Sequence, residues 1–295
     1  MKTIALLPAG SVSDEAAKQL FAGEEVAWEY HRLIADVFQA TVNGTSDYSI
    51  IPIENTIEGS VSLHMDWLVH EVDLPMQAEW VYPSIQNLIG RASELQSAEG
   101  ELDFSRIKKV ISHPVAMAQC LQFLRTRMPQ AETEHVSSTA EAVRIVRDHP
   151  GEGIAAIGTR IAAATNGLDL LANEITDHDN NYTRFMLVGK EPYTAYTSNR
   201  IKTSILVTLP EDYPGALHQV LSAFAWRRIN LSRIESRPTK KKLGNYYFYI
   251  EIEKSMDDFL LQSALQEIEA IGSSIRLLGC YPSFTYEQLL NRSGN

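Results

Sequence analysis

The hydrophobic pattern of this chain changes character after residue 188, and this change limits the folds that are open to it. Up to that point, short apolar runs alternate with segments of helical periodicity, which predicts an α/β domain with mostly parallel strands. Strands are expected at residues 3–7, 26–30, 48–53, 110–112, 154–157 and 185–188. Helices are expected at residues 13–21, 33–40, 61–70, 114–127, 139–147 and 159–164. Ser13 is the expected cap of the first helix and Ser112 that of the fourth, with Pro114 in its first turn.

The domain of residues 1–188 is expected to have two lobes. The turn-rich interval 91–105 indicates a second lobe in the middle of this domain. Two lobes that are joined by crossing strands leave a cleft between them, and small-molecule sites favour such clefts. We therefore expect the chemistry of this chain to lie between the lobes.

The C-terminal part of the chain predicts a second, smaller domain. After an aperiodic linker at residues 189–200, an alternating strand from Ile201 precedes a helix that opens at Pro214. Two strands follow, joined by a turn at Leu243-Gly244-Asn245. The order β-α-β-β-α-β is then completed by a helix over residues 257–271 and a strand over residues 274–280. This order is a ferredoxin-like unit, expected at residues 201–282 and followed by a tail at residues 283–295. The fold alone does not indicate a function.

The charge of the chain argues against nucleic acid as a partner. The 295 residues carry a formal net charge of −11, whereas phosphate binding needs a basic face. The run Lys240-Lys241-Lys242 is interpreted as a solvated hairpin tip. The apolar runs are too short for a membrane span, and the N-terminal run fits a first strand better than a signal peptide.

The cysteines and histidines give little support for disulfide or metal chemistry. Cys120 and Cys280 lie far apart and outside any CxxC motif, which favours two thiols in a reducing cytoplasm. His64 and His70 would lie on different faces of a helix, and the chain contains no HExxH motif. We expect neither a metal nor an organic cofactor.

The segment Thr183-Arg184-Phe185 places a hydroxyl and a guanidinium at the entry to a buried strand. Side chains alternate on a strand, so Thr183 and Phe185 share one face and Arg184 takes the other unless the backbone turns. A hydroxyl near a fixed cation suits a reaction in which an anionic substrate loses a small leaving group.

Several junctions between a strand and a helix carry small polar residues. Asn55, Gly59 and Ser60 offer neutral donors and backbone N–H groups for an anion, although an ordinary capped loop explains them equally well. At the next junction, Ser112 and Gln119 also fit a helix cap and a surface amide. Similar small residues are found at two further junctions, namely Ser11 in the first, and Ser138 and Thr139 in a capping box with Glu141. Together they suit a ligand that is anionic and rich in oxygen.

Taken in order, these motifs resemble those of prephenate dehydratase. The motifs are Glu54-Asn55 with Glu58-Gly59-Ser60-Val61, Ser112-His113-Pro114 with Gln119-Cys120, Ser138-Thr139-Ala140-Glu141, and Thr183-Arg184-Phe185. The C-terminal unit resembles the regulatory ACT domain of that family through Gly215-Ala216-Leu217-His218 and Glu235-Ser236-Arg237-Pro238. The resemblance covers nearly the whole chain.

The resemblance implies a periplasmic-binding-protein-like catalytic domain that converts prephenate to phenylpyruvate, with loss of water and carbon dioxide, in phenylalanine biosynthesis. Thr183 matches the catalytic threonine, and Asn55, Ser112 and Gln119 match active-site polar positions. Arg184 is the expected partner of a substrate carboxylate. Further substrate contacts are expected at Phe185, Gly59, Ser60, Ser11, Ser138 and Thr139.

The ACT resemblance implies control by phenylalanine, bound between the ACT domains of paired subunits in a homodimer or homotetramer. The expected effector residues are Gly215, Ala216, Leu217, His218, Glu235, Ser236, Arg237 and Pro238. The same residues also fit a helix start and the end of an edge strand. Two other functions stay open, arogenate dehydratase and a non-catalytic amino-acid-sensing protein.

The chain departs from the family pattern at two places. Leu7-Pro8-Ala9-Gly10-Ser11 stands where Gly-Pro-X-Gly-Thr is common, and Val115 stands where a glutamine often follows His-Pro. No helical pattern precedes the first strand, so a fused chorismate mutase is not expected.

Overall fold

The computed structural model describes residues 1–96, 100–195, 197–210, 213–240 and 246–290. The strands are β1 (Lys2–Leu6), β2 (Val26–Tyr30), β3 (Tyr48–Asn55), β4 (Gly59–Ser60), β5 (Met76–Pro83), β6 (Asn87–Gly90), β7 (Lys109–Ser112), β8 (Glu132–His135), β9 (Ile154–Gly158), β10 (Asp169–Ala172), β11 (Tyr182–Gly189), β12 (Ile201–Thr208), β13 (Leu231–Pro238), β14 (Tyr246–Ile252) and β15 (Ser274–Phe284). The α-helices are α1 (Val12–Leu20), α2 (Ile34–Asn43), α3 (Ser62–Asp66), α4 (Ala92–Leu95), α5 (Pro114–Ala118), α6 (Leu121–Arg127), α7 (Thr139–Asp148), α8 (Arg160–Thr165), α9 (Ala216–Ala225), α10 (Phe259–Ala270) and α11 (Tyr286–Leu290). A π-helical turn, Trp67–Glu71, extends α3, and a 3₁₀ turn lies at Phe104–Arg106.

The N-terminal domain has two lobes, which confirms the expected fold. The first lobe is built on β2, β1, β3, β11 and β5, and the second on a separate sheet in the order β10-β6-β9-β7-β8. The chain crosses between the lobes after β5 and again before β11. Strand β11 therefore returns the chain to the first lobe, between β3 and β5 and antiparallel to both. Each lobe has a mixed sheet, so the expectation of mostly parallel strands holds only for part of each lobe.

The strands of the first lobe are buried because both faces of the sheet are covered. On one face, Ile51 and Met186 pack with residues of α2. On the other face, Phe185 stacks on Trp80 with 5.6 Å between ring centroids, and both are almost fully buried. This packing explains why β11 reads as an apolar run.

The C-terminal domain has the expected order β12-α9-β13-β14-α10-β15. Its strands lie in the order β13-β14-β12-β15 and pair antiparallel. The turn expected at Leu243-Gly244-Asn245 lies outside the described residues.

Strand β15 joins the C-terminal domain to the first lobe. It continues to Phe284 and pairs in parallel with β5 through Ser283 and Phe284, so a single sheet runs through both domains. Gly279 is required where β15 meets the backbone of Met76, because a Cβ atom there would overlap the Met76 carbonyl oxygen. The segment expected as a tail is thus a strand end followed by α11, up to residue 290. The segment expected as a linker contains Tyr193, which is buried against Phe21.

Local details differ from the expectations at the helix starts. Ser11, not Ser13, caps α1, and His113, not Ser112, caps α5. The single helix expected at residues 114–127 is broken into α5 and α6 at Gln119 and Cys120. Strands β5, β6, β8 and β10 were not expected, because their patterns lack a clean alternation.

Candidate active site

Thr183 lies at the start of β11, where the chain has just returned from the second lobe. The strand register places Thr183 opposite Asn55 on β3 and Tyr82 on β5. Its Oγ1 accepts a hydrogen bond from Asn55 Nδ2 at 3.0 Å and shares one with Ser84 Oγ at 2.6 Å. The threonine is buried, with 9% of its surface exposed. The hydroxyl is therefore held in a fixed position by an amide and a second hydroxyl.

The orientation of Asn55 is determined by its own loop. Its Oδ1 accepts hydrogen bonds from the backbone N–H groups of Ile57 and Glu58, at 2.9 and 3.1 Å. This turn between β3 and β4 leaves Nδ2 facing Thr183. Because the amide oxygen is already used, Asn55 acts towards the site as a donor.

Asn181 connects this group to the second lobe. Its Nδ2 donates to the Ser84 carbonyl oxygen at 3.0 Å and to Gln119 Oε1 at 2.9 Å, and its Oδ1 accepts from Asn55 Nδ2 at 2.9 Å. Gln119 belongs to the second lobe, at the break between α5 and α6. A continuous set of hydrogen bonds therefore runs from Gln119 to Thr183 across the junction of the lobes.

Three of the expected site residues, Thr183, Asn55 and Gln119, are thus brought together. Sequence reasoning missed Ser84 and Asn181. Asn181 had a signal, because it directly precedes the strand of Thr183, whereas Ser84 follows β5 without any recognisable motif.

The hydroxyls of the other junctions serve the local structure. Ser112 Oγ donates to the Ile157 carbonyl oxygen at 2.8 Å and is fully buried between β7 and β9. Ser11 and Ser138 accept hydrogen bonds from the backbone of α1 and α7, as caps do. Thr139 is the first residue of α7.

Arg184 lies on the opposite face of β11 from Thr183, as strand alternation requires. Its guanidinium forms two parallel hydrogen bonds with Glu251 of the C-terminal domain, Nη1–Oε2 at 2.5 Å and Nη2–Oε1 at 2.8 Å. It also contacts Glu79 at 2.9 Å and Glu54 at 2.7 Å. Burial alone lowers the pKa of Arg184, but Glu251 and Glu79 raise it above its ordinary value. This geometry does not fit the expected contact of Arg184 with a substrate carboxylate, since protein carboxylates contact both Nη atoms and the remaining donor, Nε, is buried.

Phe185 also lies away from a ligand position. Its ring belongs to the core of the first lobe, with 1% exposed. Its contribution is to hold β11 in place.

Ser60, which forms β4 together with Gly59, contacts the C-terminal domain. Ser60 Oγ lies 3.2 Å from both carboxylate oxygens of Glu235 and accepts from Arg233 and Arg237, at 2.7 and 3.1 Å. Arg237 also pairs with Asp66 at 3.1 Å. Two of the expected effector residues, Glu235 and Arg237, therefore lie against the first lobe.

The remaining effector motif starts α9. Gly215 is the N-terminal cap of this helix with φ = +95°, a value that favours glycine. A Cβ atom at this position would meet open space. Ala216 is buried below the cap, and His218 is exposed.

Cys120, next to Gln119, does not provide a nucleophile. Burial raises the pKa of its thiol to about 12, with a smaller contribution from Asp177. The thiol therefore stays protonated near neutral pH.

In the described part of the chain, every helix is too short or too polar to cross a bilayer.

The fold and the site define a two-lobed α/β enzyme domain that is fused to a ferredoxin-like domain. Comparisons with known proteins identify both parts. Residues 4–193 match the family model of prephenate dehydratase, and residues 203–270 match that of the ACT domain. The chain belongs to the prephenate dehydratase family, and it is a carbon–oxygen lyase.

Individual relatives agree with this assignment. The prephenate dehydratase of Bacillus subtilis is 41% identical over 292 residues, which cover 96% of this chain and 99% of the relative. The structure of prephenate dehydratase from Arthrobacter aurescens in complex with L-Phe has a TM-score of 0.82 and 32% identity, covering 95% of this chain and 89% of the other. A structure described as a quorum-quenching acylase, GqqA, also has a TM-score of 0.82, at 25% identity over 96% of this chain and 98% of the other. The fold alone therefore does not determine the reaction.

Proposed function

We propose that this chain performs the decarboxylating dehydration of prephenate to phenylpyruvate with Thr183 as the donor to the departing oxygen. In this reaction the bond to the ring carboxylate breaks, and its electron pair enters the ring and expels hydroxide. Carbon dioxide and hydroxide leave, and the ring becomes aromatic. Since aromatisation provides the driving force, the protein has to orient the dianion and stabilise the leaving hydroxide.

The observation that carries this proposal is the pair of hydrogen bonds at Thr183 Oγ1. A hydroxyl has one proton and two lone pairs. Asn55 Nδ2 occupies one lone pair, and when Ser84 donates to the other, the proton of Thr183 is left for donation to a ligand. Both donors also make the Thr183 hydroxyl a better donor, because linked hydrogen bonds polarise one another.

The carboxylates of the substrate are assigned to neutral donors rather than to Arg184. Gln119 lies in the same hydrogen-bonded group as Thr183, and because its Oε1 already accepts from Asn181, it acts towards a carboxylate through its amide N–H groups. Ser112, Ser11, Ser138 and Thr139 stay predictions for contacts with substrate, as do Gly59 and Ser60.

Phenylalanine is proposed to bind the ACT domain at Gly215–His218 and Glu235–Pro238, between paired subunits of a cytoplasmic homodimer or homotetramer. The family relative that was solved with L-Phe supports this effector. Trp226 and Phe259 of the ACT domain are 82% and 78% exposed, which suits a surface that is covered by a second subunit.

The test is the formation of phenylpyruvate by the purified chain, with arogenate as a parallel substrate. Thr183→Ala should lower kcat by about 10²–10³-fold with little change in KM, because the lost donor acts mainly in the transition state. Thr183→Ser should retain most of the rate.

Thr133→Ala is the matched control, since Thr133 is exposed on β8 of the second lobe. It should leave both constants unchanged. An unchanged kcat in Thr183→Ala would remove the proposed role of Thr183. Turnover of arogenate alone would replace prephenate as the substrate.

A further inference from the structure

A group of buried charges joins the first lobe to the ACT domain. Glu251 is fully buried, and Glu79 is 2% exposed. Both carboxylates contact Arg184, and Lys202 of β12 lies 2.5 Å from Glu79 and 3.7 Å from Glu251. Each domain therefore supplies groups of both signs to this contact.

Glu251 is the centre of the group. Besides Arg184, it accepts a hydrogen bond from the Tyr249 hydroxyl at 2.8 Å. Arg233 of β13 lies 3.8 Å from Glu251 and 3.9 Å from Glu54. Buried ion pairs of this kind add little stability compared with apolar packing, so their presence suggests a different role.

The group lies one residue from each partner of the Thr183–Asn55 hydrogen bond. Arg184 follows Thr183, Glu54 precedes Asn55, and Arg184 and Glu54 face each other in the strand register. Their side chains are joined by the contact of Arg184 Nη2 with Glu54 Oε2 at 2.7 Å. Consecutive Cα atoms are only about 3.8 Å apart across a planar peptide, so a shift of Arg184 also moves Thr183.

We propose that Glu251, a residue of the ACT domain, is a positioning residue for the dehydration: through Arg184 it holds Thr183 at the distance from Asn55 that catalysis needs. This inference rests on the proposed role of Thr183. It makes the catalytic geometry depend on the position of the ACT domain, and it gives the effector a route to the active site.

The test compares Glu251→Gln with Glu253→Gln in the full chain. Glu253→Gln is the matched control, because Glu253 lies two residues further along, at the exit of β14, and its side chain is exposed. Its carboxylate accepts a hydrogen bond from Asn230 at 2.6 Å. Glu251→Gln should lower kcat roughly 2- to 30-fold, the usual range for coupled positions, with KM changed less than about twofold. The phenylalanine concentration for half-inhibition should shift as well. Glu253→Gln should match the parent in all three quantities.

A second pair of variants covers the case in which Glu251→Gln does not fold. Glu251→Asp and Arg184→Lys keep both charges, and they are measured singly and together. If the two residues act as a unit, the losses in kcat should be non-additive, with the double variant close to the worse single variant.

The proposal is overturned if folded Glu251→Gln has the kcat of Glu253→Gln, or if the two conservative losses multiply independently. It is also overturned if the lost activity only follows the unfolded fraction in a thermal scan. Absence of turnover in the parent chain is a separate outcome, because it removes the proposed function and this inference with it.

Discussion

The two faces of β11 are built from different chemistry. On the face of Thr183, neutral amides and hydroxyls join the two lobes, whereas on the face of Arg184, buried carboxylates and cations join the first lobe to the ACT domain. Neutral hydrogen bonds contribute only about 0.5–1.5 kcal/mol each, so the lobes can rearrange around a ligand. A buried ion pair that loses one partner costs several times more. One strand thus combines an adaptable neutral face, on which the proposed catalysis rests, with a rigid charged face.

The largest effect on stability is expected from Arg184→Ala. It removes the guanidinium that contacts both buried carboxylates, Glu251 and Glu79, and should cost about 3–5 kcal/mol of the free energy of unfolding. Arg160→Ala is the control, because Arg160 is an exposed residue of α8 that bonds to Asn173. Denaturant titration of both variants checks this. Equal stabilities would show that the charged face is not rigid.

Acid should weaken the charged face before the neutral one. Burial raises the pKa of Glu251, but Arg184 and Lys202 lower it more, so its pKa in the folded chain lies below the ordinary 4.5. A carboxyl group of this kind contributes stability that is complete above its unfolded pKa and is lost as the pH falls through its folded pKa.

The free energy of unfolding of the parent should therefore fall between about pH 5 and pH 3 more steeply than that of Glu251→Gln. Urea titrations at several pH values measure both slopes. Parallel slopes would argue against a charged Glu251 in the folded chain.

The smallest effect concerns the thiols. Cys280 is exposed, whereas Cys120 is buried next to Gln119 with a raised pKa. A thiol reagent at pH 8 should modify Cys280 within minutes and spare Cys120 in the folded chain, with little effect on turnover. Fast loss of both thiols would show that the lobe junction opens readily. Cys280→Ser is the control, since it should abolish the fast reaction.

The members of the neutral face were partly named from sequence. The entry of an apolar strand drew attention to Thr183, whereas the strand-to-helix junctions of Asn55 and Gln119 fitted ordinary caps as well, and only the family resemblance selected these two residues. Ser84 could not be found this way, because a single serine after a strand has no distinguishing pattern. The break at Gln119 was also missed, since the apolar spacing continues through α5 and α6.

The charged face was not predictable, because its partners come from distant parts of the chain. Glu251 lies 67 residues after Arg184, and it reaches Arg184 because the two domains pack together, with β15 attaching the ACT sheet to β5. Strand alternation correctly separated Arg184 from Thr183. The interpretation of Arg184 as a ligand for substrate ignored the second domain that packs on that face.

The most direct test of this division is to measure turnover and phenylalanine binding together in Thr183→Ala. In this variant, kcat for phenylpyruvate formation should fall by about 10²–10³-fold, while the affinity for phenylalanine by calorimetry should equal that of the parent, because the charged face is untouched. Phenylpyruvate formation at the parental rate in this variant would contradict a catalytic role for the Thr183 face.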